Sequence, residues 1–148
     1  MLHYVMKKII VILYLVLPVF LFSQSSRDIN TVIQKTLDLH ALKEYYSDSE
    51  RSGETPLLII NEDKIPDNLI VFKFNKRVKV MTHDEIKIMK SIYKGNLDSY
   101  FVFDVMDFGD NHQTVSIKAS FRKENTLTIH VSMKKEKDRW IVIASKVT

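Results

Sequence analysis

The sequence contains no cysteine and only three glycines and three prolines among its 148 residues. The absence of cysteine excludes a disulfide scaffold, a thiolate zinc site, a cysteine nucleophile and a lipid-modified N-terminal cysteine. The shortage of glycine and proline excludes collagen-like and proline-rich classes. Apolar residues make up 45% and charged residues 27%, which is the balance of a soluble globular protein. At this length we expect one domain and at most one targeting segment.

The N-terminal residues have the composition of a secretory signal peptide. Two lysines precede Ile9–Phe22, a run of 14 apolar residues without charge, and polar residues follow from Ser23. The length of the run fits the apolar h-region of a signal peptide. It is shorter than a membrane-spanning helix, which needs about 20 residues. We therefore predict a signal peptide over residues 1–23 and one exported domain, periplasmic or secreted, over residues 24–148. An uncleaved membrane anchor is the alternative.

Export changes what the charge of the chain implies. Cleavage removes Lys7 and Lys8 and no acidic residue, so the formal charge falls from +4 to +2. The pI of 9.2 therefore overstates how basic the mature chain is. A charge this small gives little support to nucleic-acid binding, and we expect none. We expect membrane contact only through the export signal.

Helical spacing and capping signals predict two helices separated by a polar stretch. Ser26 is the expected N-cap of the first helix, whose apolar face is Ile29, Val32, Ile33 and Leu37. The polar segment Ser47–Thr55, which contains Gly53, is interpreted as a mobile loop. Thr82 and Glu85 form a capping box at the start of the second, short helix. Its expected buried stripe is Ile86, Met89 and Tyr93, with Ile88 and Ile92 beside it and Gly95 at its end.

Between the helices the pattern predicts short strands. Leu57–Ile60 is an apolar run of strand length, closed by polar residues. Leu69–Phe74 and the alternating residues around Val78 and Val80 are predicted to form a hairpin that turns at Asn75–Lys76. One face of its first arm is expected to carry Ile70, Phe72 and Phe74.

Four strands with short turns follow in the C-terminal half. Apolar and polar residues alternate along each strand, which is typical of an antiparallel meander with one buried and one wet face. The predicted strands are Ser99–Phe108, Thr114–Arg122, Leu127–Met133 and Arg139–Val147. The predicted buried face includes Val115, Ile117, Phe121, Leu127, Ile129 and Val131. The helices must cover that face, so we predict an α+β fold in which a curved antiparallel sheet packs on the N-terminal helix and the short second helix.

The order of these elements resembles the ketosteroid-isomerase-like, or nuclear-transport-factor-like, α+β cone fold. The closing segment Asp138–Val147 (DRWIVIASKV), with Trp140 opening the last strand, looks like the final strand of such domains. The resemblance covers roughly Ser25–Val147 in element order, and the chain also looks like small exported bacterial domains. Such folds host enzymes, binding modules and interaction domains alike. No catalytic Tyr/Asp constellation of the enzymes can be matched, so the resemblance implies no site residue.

Asp104 and Tyr100 are the candidate catalytic residues. Strict alternation places both on one face of the strand, together with Val102 and Met106, and puts Asp107 on the opposite face. An apolar environment around Asp104 would favour a general base. An acid at the sheet edge, paired with a nearby lysine, is the alternative that involves no catalysis.

Other polar clusters have simpler explanations. Asp107–Phe108–Gly109 spells the magnesium motif of kinases, but the chain lacks the other kinase motifs. Asp107, Asp110 and His112 surround a turn without the spacing of a calcium loop, so we predict no metal site and no cofactor. We interpret His83 as part of the capping box. His130 is interpreted as a residue of the wet face and His40 as a partly buried helix residue.

These observations lead to two hypotheses about function. The first is a non-enzymatic module that binds a protein or small ligand through the open side of its sheet or through Ser47–Thr55. The alternative is a small cone-pocket enzyme, of the isomerase or hydrolase type, with Asp104 as general base near Tyr100 or His40.

The distribution of charge along the chain is also uneven, because the segment Asp38–Asp67 is acidic and the segment Lys73–Lys94 is basic. Such a layout could steer a charged partner.

The export prediction is tested by the N-terminus of the mature chain. Expressed in a secreting host, the protein is expected to begin at Gln24 or Ser26 when its intact mass is measured. Recovery of a soluble cytoplasmic protein that retains Met1 would contradict the prediction.

Overall fold

The computed structural model describes residues 26–95, 97 and 99–148, and the predicted signal peptide lies outside them. The first helix, α1, is described over residues 26–37, so the expected N-cap Ser26 already belongs to the helix. A 3₁₀ turn follows at His40–Tyr45 and a short helix α2 at Asp48–Ser52. Helix α3 spans His83–Ile92 and begins with the predicted capping box at Thr82 and Glu85.

The described strands are β1 (Leu58–Ile60), β2 (Phe72–Lys73), β3 (Lys76–Arg77), β4 (Lys79–Met81), β5 (Tyr100–Phe108), β6 (Thr114–Arg122), β7 (Leu127–Glu136) and β8 (Arg139–Val147). The fold is α+β, as predicted, and its largest element is a mixed sheet of six strands in the order β4-β1-β5-β6-β7-β8. The antiparallel meander β5–β8 confirms the predicted strands of the C-terminal half. A separate two-stranded ribbon is formed by β2 and β3.

The strand β1 was predicted, but its parallel pairing with both neighbours was not. Leu58 lies opposite Lys79 in β4, and Ile59 lies opposite Phe101 in β5. The second arm of the predicted hairpin therefore ends at Arg77, and the chain then leaves the ribbon and joins the main sheet as β4. All three residues of β1 are buried, because this strand has a partner on each side and a covered face above and below.

Two amide side chains of α1 determine the course of the segment that leads into β2. Asn30 donates to the carbonyl of Ile70 at 2.7 Å and accepts from its N–H at 2.8 Å. Gln34, one helical turn later, does the same with Phe72, at 2.7 and 2.9 Å. The helix thus replaces a neighbouring strand and satisfies the backbone groups of alternate residues.

Ile70 and Phe72 lie on one side of the segment, as predicted, whereas Phe74 packs against the buried core residues. Leu69 and Val71 are buried, whereas Ile70 and Phe72 are about half exposed. The turn is also one residue earlier than predicted, since Phe74 and Asn75 have the positive φ angles of a tight hairpin turn. Phe74 is an unusual residue in that conformation, but its ring packs edge-on against Tyr46 at 5.1 Å.

The inner face of the sheet and α1 enclose the main core. Val32, Ile33 and Leu37 of α1 join one apolar cluster with the inward residues of the meander. The rings of Phe101 and Phe121 stack at 4.2 Å in its centre. The predicted inward residues are confirmed; all are buried except Leu127, which is half-buried.

Helix α3 covers part of the outer face of the sheet. Its Ile86 packs with buried residues of β1 and β5, and Met89 contacts the same cluster. Tyr93 follows as the C-cap, two residues before the predicted stop at Gly95. The prediction of a wide apolar stripe is wrong, because Ile88 and Ile92 are exposed. This small cluster consists of Leu58, Ile60, Ile86, Leu97 and Val102 and does not extend over β6–β8.

A second polar contact attaches α1 to the far end of the meander. Asp28 accepts from the indole N–H of Trp140 at 2.9 Å and from the Lys135 ammonium at 3.1 Å. Lys135 and Asp28 are both largely shielded from water, and the ammonium also lies over the Trp140 ring. Charge-assisted contacts of this kind are stronger than those between exposed ions, so they fix how α1 crosses the sheet.

The facing of β7 is tested by Ile129→Asp, with His130→Asp as the matched control on the same strand. Ile129 is fully buried and His130 is exposed. Burying an unpaired carboxylate should lower the free energy of unfolding by several kcal/mol, whereas the exposed substitution should change it by about 0.5 kcal/mol or less. Urea denaturation measures both. Equal stability of Ile129→Asp and the wild type would show that the facing is wrong.

Candidate functional site

Asp104 lies in a β-bulge, and this changes the face to which its neighbours point. The pairing of β5 with β6 skips Asp104, between Phe103 opposite Ala119 and Val105 opposite Lys118. Two consecutive side chains, those of Asp104 and Val105, therefore project from the outer face. The prediction that Met106 shares the face of Asp104 is wrong, because Met106 packs against the main core.

Asp104 is half-buried and has partners on the sheet itself. Its carboxylate accepts from the Ser120 hydroxyl at 2.8 Å, and its carbonyl accepts from the Lys64 ammonium at 2.6 Å. Tyr100 packs against the small cluster beneath α3, and His40 is exposed in the 3₁₀ turn. Asp104 lines none of the four cavities described in the structure. The structure thus pairs Asp104 with Ser120 rather than with Tyr100 or His40 in a pocket.

The turn after β5 serves the hairpin. The Gly109 N–H donates to the carbonyl of Thr114, and His112 has a positive φ within the same turn. Over the described residues, no group of three or more acidic or histidine side chains is arranged to hold a metal ion. His83 follows the Thr82 N-cap and lies 3.1 Å from the Glu62 carboxylate, and His130 is exposed on the outer face, as predicted.

The buried ion pair between Glu50 and Lys123 was not predicted. Glu50 is only 2% exposed, and its carboxylate accepts from the Lys123 ammonium at 2.8 Å. The same ammonium donates to the carbonyl of Tyr45 at 2.7 Å and lies over the ring of Phe121. The turn between β6 and β7 is thereby joined to the 3₁₀ turn and to α2.

Glu50 reaches this position because Asp48–Ser52, within the predicted loop Ser47–Thr55, forms the short helix α2, so the loop prediction is wrong for these five residues. The Ser47 hydroxyl accepts from the Glu50 N–H, and the Glu50 carboxylate accepts from the Ser47 N–H at 2.7 Å. Gly53 ends the helix in the left-handed conformation, with φ of 78°. The pattern Ser-x-x-Glu is the same capping-box signal that correctly predicted α3, so the sequence did contain the information.

A cleft of about 720 Å³ opens beside the ion pair. Its walls come from the 3₁₀ turn, α2 and the turn between β6 and β7. Its lining residues are Tyr45, Ser47, Ser49, Glu50, Thr55, Ser99, Lys123, Glu124, Asn125 and Leu127. A smaller cavity of about 240 Å³ also has Glu50 and Thr55 in its wall, together with lysines of the β2–β3 ribbon and Tyr93. We call the larger space the hydroxyl cleft, because side-chain hydroxyls make up much of its polar lining.

The serine and threonine hydroxyls of the hydroxyl cleft bond mainly to one another. Thr55 donates to the Ser49 hydroxyl at 3.0 Å, and the hydroxyls of Ser47 and Ser49 lie 3.2 Å apart. The hydrogen bonds of Lys123 go to Glu50 and Tyr45, not to a serine. A serine nucleophile needs a base within hydrogen-bond reach, and the described contacts supply none.

Tyr46, next to the cleft, is a structural residue. Burial raises the pKa of its phenol well above the usual range, and the negative charges of Asp38 and Glu50 raise it further. The phenol stays neutral and donates to the carbonyl of Leu37 at 2.9 Å. It therefore does not act as a proton-transfer group near neutral pH.

The outer face of β6–β8 carries a row of basic side chains. Lys118 lies directly opposite His130, and His130 lies directly opposite Lys146. All three are exposed, and none has an ion-pair or hydrogen-bond partner among the side chains that the structure describes. We call these three residues the basic row. The two lysines lie on β6 and β8, on either side of His130 in β7.

No known protein family, curated protein or solved structure matches this chain. In the described part of the chain, no helix is long and apolar enough to cross a bilayer.

Proposed function

We propose that this protein is an exported, non-enzymatic binding module that uses the open outer face of its meander to bind an acidic segment of a partner protein. The observation that carries the proposal is the basic row, which places two lysines and a histidine in register without any acidic partner. On the same face Glu136 is paired with Lys134, whereas Asp104 bonds only to the neutral Ser120 hydroxyl and Asp107 is exposed opposite Ser116. Within the register of the row itself, the residue opposite Lys118 in β5 is Val105, so no acid lies in the row.

The neighbours of the basic row favour a protein partner. Val105, Ile141 and Ile143 are exposed on the same face, and Ile143 is 61% exposed. Serines in the adjacent row, Ser116 and Ser132, offer further hydrogen bonds. A surface that combines cations with exposed apolar side chains matches a segment with acidic and apolar residues. A nucleic acid or an acidic polysaccharide would leave the isoleucines without a matching contact.

Export is part of the proposal and rests on the N-terminal sequence. A partner of the exported chain would be a periplasmic, cell-surface or secreted protein. The resemblance to the cone fold is compatible with this function, because that fold hosts interaction domains as well as enzymes.

Fluorescence anisotropy with a defined peptide tests the proposal. The probe is a labelled decapeptide of alternating Glu and Val, and its Lys–Val counterpart is the control peptide. Binding of the Glu–Val peptide should weaken about tenfold in the variant Lys118→Ser, Lys146→Ser, and it should also weaken as salt is raised. The matched control variant is Lys43→Ser, Lys94→Ser, which removes the same charge from exposed positions outside this face.

Two results would contradict the proposal. Equal weakening in both double variants would show that only net charge matters. Tighter binding of heparin than of the Glu–Val peptide, lost in the Lys118→Ser, Lys146→Ser variant, would assign the face to a polyanionic sugar instead of a protein.

A further inference from the structure

The hydroxyl cleft has a chemistry different from that of the basic row. Ser47, Ser49, Thr55 and Ser99 contribute hydroxyls, each of which can donate and accept, and Asn125 contributes an amide. Such groups can match a ligand whose own polar groups both donate and accept. The cleft volume of about 720 Å³ lies within the range of small-molecule sites.

The charges of the cleft argue against an anionic ligand. Among the described residues of its lining, only Lys123 is basic, and its ammonium is paired with Glu50 at 2.8 Å. Glu124 adds a second carboxylate to the wall. A phosphate or carboxylate ligand would therefore lie near the carboxylates of Glu50 and Glu124 and near a lysine that is already paired, which makes its binding unfavourable.

The rim of the cleft supplies an apolar surface. Tyr45 is 42% exposed although its backbone carbonyl is fixed by Lys123 at 2.7 Å. Leu127, half-buried, is the other large apolar side chain of the lining. The tyrosine ring has a large apolar face and a polar hydroxyl. It can therefore pack against the C–H face of a sugar ring while nearby polar groups of the protein bind the hydroxyls of the sugar. A wholly apolar ligand would bury the serine hydroxyls without partners.

The ion pair gives the cleft fixed walls. Glu50 and Lys123 connect the 3₁₀ turn, α2 and the turn between β6 and β7, and these are the elements that line the cleft. A buried ion pair contributes little net stability compared with apolar packing of the same volume. The ion pair instead holds the walls of the cleft in position. A ligand that binds to groups already in place requires less ordering of the protein, so less binding free energy is lost.

We infer that the hydroxyl cleft binds a neutral saccharide of one or two rings, with Tyr45 against a sugar ring and with Ser49, Thr55 and Asn125 bonded to its hydroxyls. This site is independent of the protein-binding face. Loss of one function is expected to leave the other unchanged.

Amide NMR titrations with three named disaccharides, cellobiose, maltose and di-N-acetylchitobiose, test the inference. At least one should cause saturable shifts of the Ser47, Ser49 and Thr55 amides, with a Kd of about 1 mM. Tyr45→Ala and Asn125→Ala should each weaken that binding about fivefold or more. Phe72→Ala is the matched control, because Phe72 is also a half-exposed aromatic residue but lines neither cavity.

The folding of each variant is checked by its NMR spectrum, which should keep the dispersed signals of the sheet. The inference is overturned if none of the three sugars gives a saturable shift in the cleft at about 20 mM, since even weak saccharide sites fill at that concentration. It is also overturned if Phe72→Ala weakens binding as much as Tyr45→Ala. Saturable binding of spermidine without any sugar binding would instead assign the cleft to a cationic amine.

Discussion

The ion pair between Glu50 and Lys123 is the contact on which the non-sheet half of the structure depends. Between the end of α1 and the start of β1, the chain has no partner strand to give it a fixed course. Lys123 supplies one anchor, because its ammonium reaches both the Glu50 carboxylate and the Tyr45 carbonyl. Removal of one member of a buried pair typically costs about 3–5 kcal/mol, since the other charge is left unpaired. The position of α2, and with it the shape of the hydroxyl cleft, follows from this contact.

The second constraint is that the sheet has two faces and few helices to cover them. The inner face is closed by α1 and the segments up to β1, and the contact of Asp28 with Lys135 and Trp140 fixes that layer at its far end. On the outer face, α3 covers the region of β1 and β5 through Ile86. The outer face of β6–β8 is left uncovered, with polar and basic side chains and the exposed Ile141 and Ile143. The proposed protein-binding surface is therefore a direct result of the topology.

Local patterns predicted the local parts of the fold. Strict alternation along Thr114–Arg122 gave the correct facing of β6, and the Thr82–Glu85 box gave the correct start of α3. Non-local pairing could not be predicted in this way. The parallel contacts of β1 with β4 and β5 join residues about 20 to 40 positions apart, and no periodicity within one segment encodes them.

The errors have specific physical causes. A single bulged residue, Asp104, changed the face of Met106 and so altered the surroundings expected for the candidate base. The side chains of Asn30 and Gln34 bind the backbone of another segment and hold Ile70 and Phe72 outward, a direction that alternation alone did not specify. Composition alone made Ser47–Thr55 look like a loop, although its capping box was present in the sequence. The basic row could not be predicted, because it depends on which residues of β6, β7 and β8 lie opposite one another, and alternation within one strand does not specify that register.

Amide hydrogen exchange of α2 tests most directly whether the ion pair holds this segment in place. The N–H groups of Gly53 and Thr55 donate to the carbonyls of Glu50 and Ser49. We expect both amides to be protected from exchange in the wild type. In Lys123→Met they should exchange at least about tenfold faster, because the Glu50 carboxylate is left buried without its partner. Adding Glu50→Gln to Lys123→Met should restore part of the protection, because it removes that unpaired charge. Amides in the centre of β6 and β7 should stay protected in all three proteins. Unprotected Gly53 and Thr55 amides in the wild type, or unchanged protection in Lys123→Met, would contradict the account.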